Sequence, residues 1–151
     1  KNPLHRANLV ALDQKYYFCD VGYGGAQPAQ GVLVEDGWEG TAKGHTFRIT
    51  RLKDSWWLLS QRIQDELVPI ISFSAAPMDP VDFIPVNYYA STSPDSVFTT
   101  RRFLNRRTPE GSVSILGNTF SRVSHHQKTE QQITSNEEFQ KILNTYFNLN
   151  Y

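Results

Sequence analysis

The sequence predicts an α+β chain, with short antiparallel strands first and helices later. Three observations carry this. Phe47, Ile49 and Arg51 alternate with Thr46, Arg48 and Thr50, the two-residue period of a half-buried strand. Further strand candidates, joined by Gly- and Asp-containing turns, fill residues 1–73, which is the pattern of a barrel or a sandwich. Near Ala75 the character changes to helix N-caps, and the chain ends on a clear amphipathic helix.

The first element is a hairpin within His5–Gly25. Leu9 to Leu12 form an apolar run, Asp13-Gln14-Lys15 is polar, and Tyr16, Tyr17, Phe18 and Val21 resume β-favouring residues. A turn centred on Asp13-Gln14 sets Leu12 opposite Lys15 and His5 opposite Gly22, with Asp20 the diagonal neighbour of His5. Tightened by one pair, the register sets His5 directly opposite Asp20. Both registers put imidazole and carboxylate on one face, and a one-residue slip would separate them. Gln30 to Val34 is the next strand, followed by a Gly- and Asp-rich loop from Glu35 to Gly44. His45–Leu52 and Ser55–Leu59 flank a turn at Lys53-Asp54, and Val68 to Phe73 forms another strand. Asp79 is a good N-cap, with Pro80 at the first helical position and Asp82 two further on. Pro85 comes too early for that helix to continue undisturbed. Ser93-Pro94-Asp95-Ser96 stops the helical segment. Thr108-Pro-Glu-Gly111 is a turn before two short strands, Ser112 to Leu116 and Thr119 to Ser124, hinged at Gly117-Asn118. Ser135 and Glu138 then form a capping box, and Phe139, Ile142, Leu143, Tyr146 and Phe147 line one helix face.

Composition narrows the function. Fifteen basic and fifteen acidic residues cancel, so charge points neither to nucleic acid nor to a membrane surface as partner. Leu67-Val-Pro-Ile-Ile71 is far too short to span a bilayer. A single cysteine, Cys19, excludes an internal disulfide and a zinc ribbon, and fits a reducing compartment. Aromatic residues, 13% of the chain, exceed the needs of a core, so some are expected to line a cleft. The chain starts at Lys1 and its one methionine is Met78, so a processed chain, a fragment or a partial chain is expected. His45, His125 and His126 lack metal-ligand spacing with acidic partners, and no metal is assigned.

His5 beside Asp20 has two readings from the residues alone, a surface ion pair or the base and orienter of a nucleophile–base–orienter arrangement. Asp20 lies in an apolar strand, where a carboxylate needs a strong partner. Gly22, Gly24 and Gly25 follow, but their spacing is not that of a dinucleotide fingerprint. Cys19, next to Asp20 on the strand, points to the opposite face and reads as a small buried hydrophobe. No Gly-x-Ser-x-Gly elbow supplies a serine.

The His5 hairpin with its DVGYGG turn resembles the arylamine N-acetyltransferases. The likeness continues through Phe47-Arg48-Ile49, Trp57 and Asp82-Phe83, returns strongly at NYYASTSPDSVF (residues 87–98), and ends with Thr108-Pro-Glu-Gly111. It implies an antiparallel β-barrel over residues 1–74, a connecting helix and coenzyme A loop over 75–98, and an α/β lid over 99–151. It also implies acetyl transfer from acetyl-CoA to an arylamine, arylhydrazine or N-hydroxyarylamine by a ping-pong Cys-His-Asp mechanism, in the cytoplasm. His5 matches the triad histidine and Asp20 its aspartate. Tyr23 matches an aromatic of the acceptor pocket. Tyr89, Thr92, Ser93 and Ser96 match the coenzyme A cleft, with Phe98 at its acetyl end. The family's Arg-Gly-Gly-x-Cys segment and its helical domain, the remaining partner, are not in these 151 residues, so the chain alone is expected to be inactive. A non-catalytic coenzyme A- or partner-binding fragment, or an amide synthase of the same family, is the alternative. Arg101, Arg102, Arg106 and Arg107 read as a solvated basic face rather than a phosphate site.

Overall fold

A computed structural model describes residues 5–24, 27–124 and 127–150. Gly25, His125 and His126, named above, lie outside them. The chain divides into two compact units, Lys1–Phe83 and Ile84–Tyr151.

In the first unit, β1 (Asn8–Leu12), β2 (Lys15–Cys19) and β3 (Val32–Leu33) form one antiparallel sheet. A second sheet runs in the order β4 (Glu39–Ala42), β5 (His45–Arg51), β6 (Trp56–Ile63) and β7 (Glu66–Ser74). Leu12 pairs with Lys15, the looser of the two registers the sequence allows. Asp13 and Gln14 both take positive φ, 50° and 61°, the twist a two-residue hairpin requires. The two sheets share one core. Phe18 and Val32 from the first meet Phe47, Ile49, Leu59 and Phe73 from the second, and the Phe18 and Phe73 rings stack at 4.3 Å. Among the described residues no ladder joins the sheets, so they face each other rather than closing into a continuous hydrogen-bonded barrel.

β4 lies inside the stretch the sequence reads as loop. Its residues, Glu-Gly-Thr-Ala, have little strand preference, and pairing with β5 across the Lys43-Gly44 turn imposes the conformation. A 3-10 turn, Pro80–Phe83, closes the unit, with the Asp79 N–H donating to Asp82 Oδ2 at 2.8 Å.

In the second unit, helix α1 spans Ile84–Thr92 and a four-residue helical turn, α2, spans Val97–Thr100. The break expected at Pro85 falls one residue earlier. Pro85 sits in the first turn of α1, where a missing N–H costs nothing. Four antiparallel strands follow, ordered β11 (Gln127–Gln132), β10 (Thr119–Ser124), β9 (Gly111–Leu116), β8 (Phe103–Thr108). The strands flanking Gly117-Asn118 appear as expected, whereas β8 and β11 extend the sheet beyond that reading. At Gly111 a Cβ would lie 2.2 Å from the Val123 carbonyl oxygen, so the β9–β10 approach there needs glycine. Helix α3 (Asn136–Ile142) continues as a π turn over Leu143–Phe147, and Asn148 ends it in the left-handed conformation. Ile142 and Leu143 pack with Val113, Ile115, Phe120 and Ile133 in this unit's own core. Among the described residues no helix is long and apolar enough to cross a membrane.

Candidate active site

Two local preferences assemble the site in the first unit. The β1–β2 hairpin brings the segment before β1 alongside the segment after β2. Asp20 then opens an Asx-type turn, in which a short carboxylate captures the backbone N–H groups two and three residues on. Asp20 Oδ1 accepts from the Gly22 N–H at 2.9 Å and the Tyr23 N–H at 3.2 Å. Its Oδ2 accepts from His5 Nε2 at 2.7 Å. The Asp20 side chain is 4% exposed and the His5 side chain 30%. The carboxylate is therefore buried but fully answered, and the imidazole remains reachable.

This geometry fixes the chemistry of the ring. An ionised carboxylate only accepts, so neutral His5 carries its proton on Nε2 and keeps the lone pair on Nδ1. A ring nitrogen so held can take a proton from a thiol or an amine. Gly22 lies against the pair; a Cβ there would make ordinary contact with His5 Cε1 at 3.6 Å. Beside the pair opens a cleft of about 950 Å³, lined by His5, Phe18, Tyr23, Trp57, Ile70 and Phe73 among others. Its walls are largely aromatic and aliphatic, suited to a flat apolar ligand.

Cys19 is turned away, as strand alternation requires. Phe18 and Asp20 share one face of the strand, while Tyr17 and Cys19 share the other. A Cβ at Gly31 would lie 3.2 Å from Cys19 Sγ and 3.4 Å from Tyr17 Cβ, so the thiol faces β3's approach rather than His5.

The remaining candidates belong to the second unit. Tyr89 and Phe98 are exposed, 47% and 62%, on α1 and α2. Thr92 Oγ1 donates to the Tyr88 carbonyl at 2.6 Å, leaving acceptor capacity only. Ser93 Oγ accepts from the Asp95 N–H at 3.2 Å, so its hydroxyl proton stays free for a ligand. Ser96, also matched to the coenzyme A cleft, is engaged within the unit. It is 3% exposed, its hydroxyl donates to the Ala90 carbonyl at 2.8 Å, and it caps α2 by accepting from the Phe98 N–H. A hydroxyl so spent holds α1 to α2 and is closed to a ligand.

Two arginines of the basic run are likewise engaged. Arg102 stacks over the Phe139 ring at 4.2 Å, and Arg106 donates to the Tyr146 carbonyl at 2.9 Å. Among the described residues no three His, Cys, Asp or Glu side chains gather as a metal site. Missing from the sequence reading is the Ile70 carbonyl, which accepts from the Tyr23 hydroxyl at 3.3 Å. The available signal was Pro69, since proline inside a strand marks an edge or a bulge.

A buried carboxylate thus holds an imidazole that lines a cleft rich in aromatic side chains. The family model for N-acetyltransferases matches residues 1–151, and the chain belongs to that family. Human arylamine N-acetyltransferase 1 is 28% identical over 97% of this chain and 58% of its own length. The arylamine N-acetyltransferase of Mycobacterium abscessus has the same fold, with a TM-score of 0.86 at 22% identity, covering 98% of this chain and 55% of that one. That of Mycobacterium marinum, solved in complex with CoA, gives 0.83 at 19%, covering 94% and 53%. The chain thus spans little more than half the length of the relatives it matches.

Proposed function

We propose that this chain supplies the general base and its orienter, His5 and Asp20, to an arylamine N-acetyltransferase. The nucleophilic cysteine comes from a helical domain outside these 151 residues. The observation that carries this is the 2.7 Å His5 Nε2–Asp20 Oδ2 bond, made by a histidine that lines the cleft. Acetyl-CoA supplies the activated acetyl group as a thioester. His5 Nδ1 takes the thiol proton so that the thiolate attacks, and holds it until the departing coenzyme A sulfur takes it. In the second half His5 takes a proton from the attacking amine nitrogen and returns it to the cysteine sulfur as the amide leaves. Asp20 keeps the tautomer and balances the imidazolium through both halves.

In this reading the two sheets within residues 1–74 stand in the place of the family's barrel, residues 75–98 are the connecting helix and coenzyme A loop, and residues 99–151 are the lid. Tyr23 presents its ring to the arylamine. Tyr89 and Phe98 offer exposed aromatic surface to the coenzyme, Ser93 donates its free hydroxyl proton, and Thr92 accepts from a pantetheine amide. The chain works in the cytoplasm, where its lone thiol stays reduced.

The test mixes the chain with a separately purified helical domain bearing Arg-Gly-Gly-x-Cys, then adds acetyl-CoA and an arylamine. Acetylation of that cysteine, followed by transfer to the amine, is expected with the parent chain and not with His5→Ala. Turnover by the 151-residue chain alone, or undiminished acetylation with His5→Ala, overturns the reading.

A further inference from the structure

Strand β7 carries one residue more than β6 at its centre. Leu59 pairs with Ile71 and Ser60 with Pro69, so Ile70 is the extra residue of a bulge. β7 is also the edge of its sheet, and Pro69 brings no N–H to the ladder. The Ile70 carbonyl accepts from the hydroxyl of Tyr23, which lies in the turn that follows β2. Tyr23 touches both members of the pair as well. Its ring meets the His5 imidazole edge-on, centroids 5.8 Å apart at 65°, and its N–H donates to Asp20 Oδ1. Val21, beside Asp20 on the same turn, is 95% exposed, so that side of the turn has no packing to hold it.

We propose that Tyr23 is a positioning residue for the His5–Asp20 pair, and that its anchor is the bulge carbonyl of Ile70. The hydroxyl ties the Asx turn to the facing sheet. The ring then meets the imidazole edge-on and limits its rotation about the bond to Asp20. The bulge is what makes the anchor available, because a regular ladder would bring a different carbonyl to this point. That this matters for turnover rests on the base role proposed for His5; the positioning itself does not.

The experiment follows the His5 Nε2–H proton by NMR in the ¹⁵N-labelled chain, comparing the parent with Tyr23→Phe. Removing one hydroxyl loses one neutral hydrogen bond, equivalent to a factor of about 2–10 in an opening equilibrium. Exchange of the Nε2–H with water is expected to speed up about fivefold. A merely structural role would lower the thermal midpoint and leave exchange from the folded protein unchanged; that result overturns the proposal. A second variant keeps the ring and the fold: 3-fluorotyrosine at position 23 is a stronger donor and is expected to slow the same exchange, and no change there also overturns it. Failure of the cysteine-acetylation assay together with faster exchange in Tyr23→Phe refutes the enzyme reading and leaves the positioning standing.

Discussion

Asp20 concentrates three hydrogen bonds in one buried carboxylate, so its substitutions separate stability from chemistry. Asp20→Ala leaves the Gly22 and Tyr23 N–H groups and the His5 Nε2–H without their acceptor. The expected cost is roughly 1–3 kcal/mol, read by urea unfolding. Asp20→Asn keeps the volume but can turn an N–H toward the ring, favouring the wrong tautomer. In the assembled enzyme the cysteine acetylation rate is expected to fall about a thousandfold, with a much smaller loss of stability. Equal acetylation rates for the parent and Asp20→Asn would remove the orienter role.

Among the elements, the first hairpin turn and the start of helix α3 offer the sharpest tests. The Asp13-Gln14 turn holds two non-glycine residues at positive φ. Gln14→Gly is therefore expected to stabilise the chain by about 0.5–1 kcal/mol, seen as a higher urea midpoint at unchanged slope. At α3, Glu138 is held below the ordinary glutamate value of 4.5, first by the Thr134 backbone N–H and then by the Gln131 and Thr134 side chains. A carboxyl lowered in the folded state stabilises fully above its unfolded value and loses that contribution as pH falls through the folded one. Between pH 6 and pH 3 the second unit should thus lose stability below pH 4.5, and Glu138→Gln should flatten part of that slope. An unchanged slope would assign it to Glu130 and Glu137, which are also lowered.

These same elements show what could be read beforehand. The first hairpin, β5, β6, β9, β10 and the Ser135–Glu138 cap follow from patterns a few residues long, although the sequence left two registers open for that hairpin. The cap differs in one detail: Glu138 reaches back to the Thr134 N–H at 2.8 Å, one residue before Ser135. The strand β11, Gln-Lys-Thr-Glu-Gln-Gln, is exposed along its whole length, so no buried face wrote an alternation into it. The His5–Asp20 pair was legible because both partners belong to one hairpin. The Tyr23–Ile70 bond was not, because it joins residues 47 apart through a backbone atom that every residue possesses.

At the scale of the molecule, each unit owns a core. Ile49 and Ile115 are both fully buried, one in each. Replacing either by alanine is expected to cost about 2–5 kcal/mol. Amide hydrogen exchange should locate the loss in the unit that carries the substitution, and equal loss throughout would show that the units unfold as one.

The pairing of His5 with Asp20 inside one hairpin has a consequence for the time course of folding. Hairpins close in about 1–10 μs, long before contacts distant in sequence are made. The imidazole meets its carboxylate while most of the chain is still searching. The bond from Tyr23 to Ile70 waits for both sheets of the first unit, so it can only come afterwards. The expected order of assembly is therefore the local pair first and the bond between sequence-distant residues afterwards.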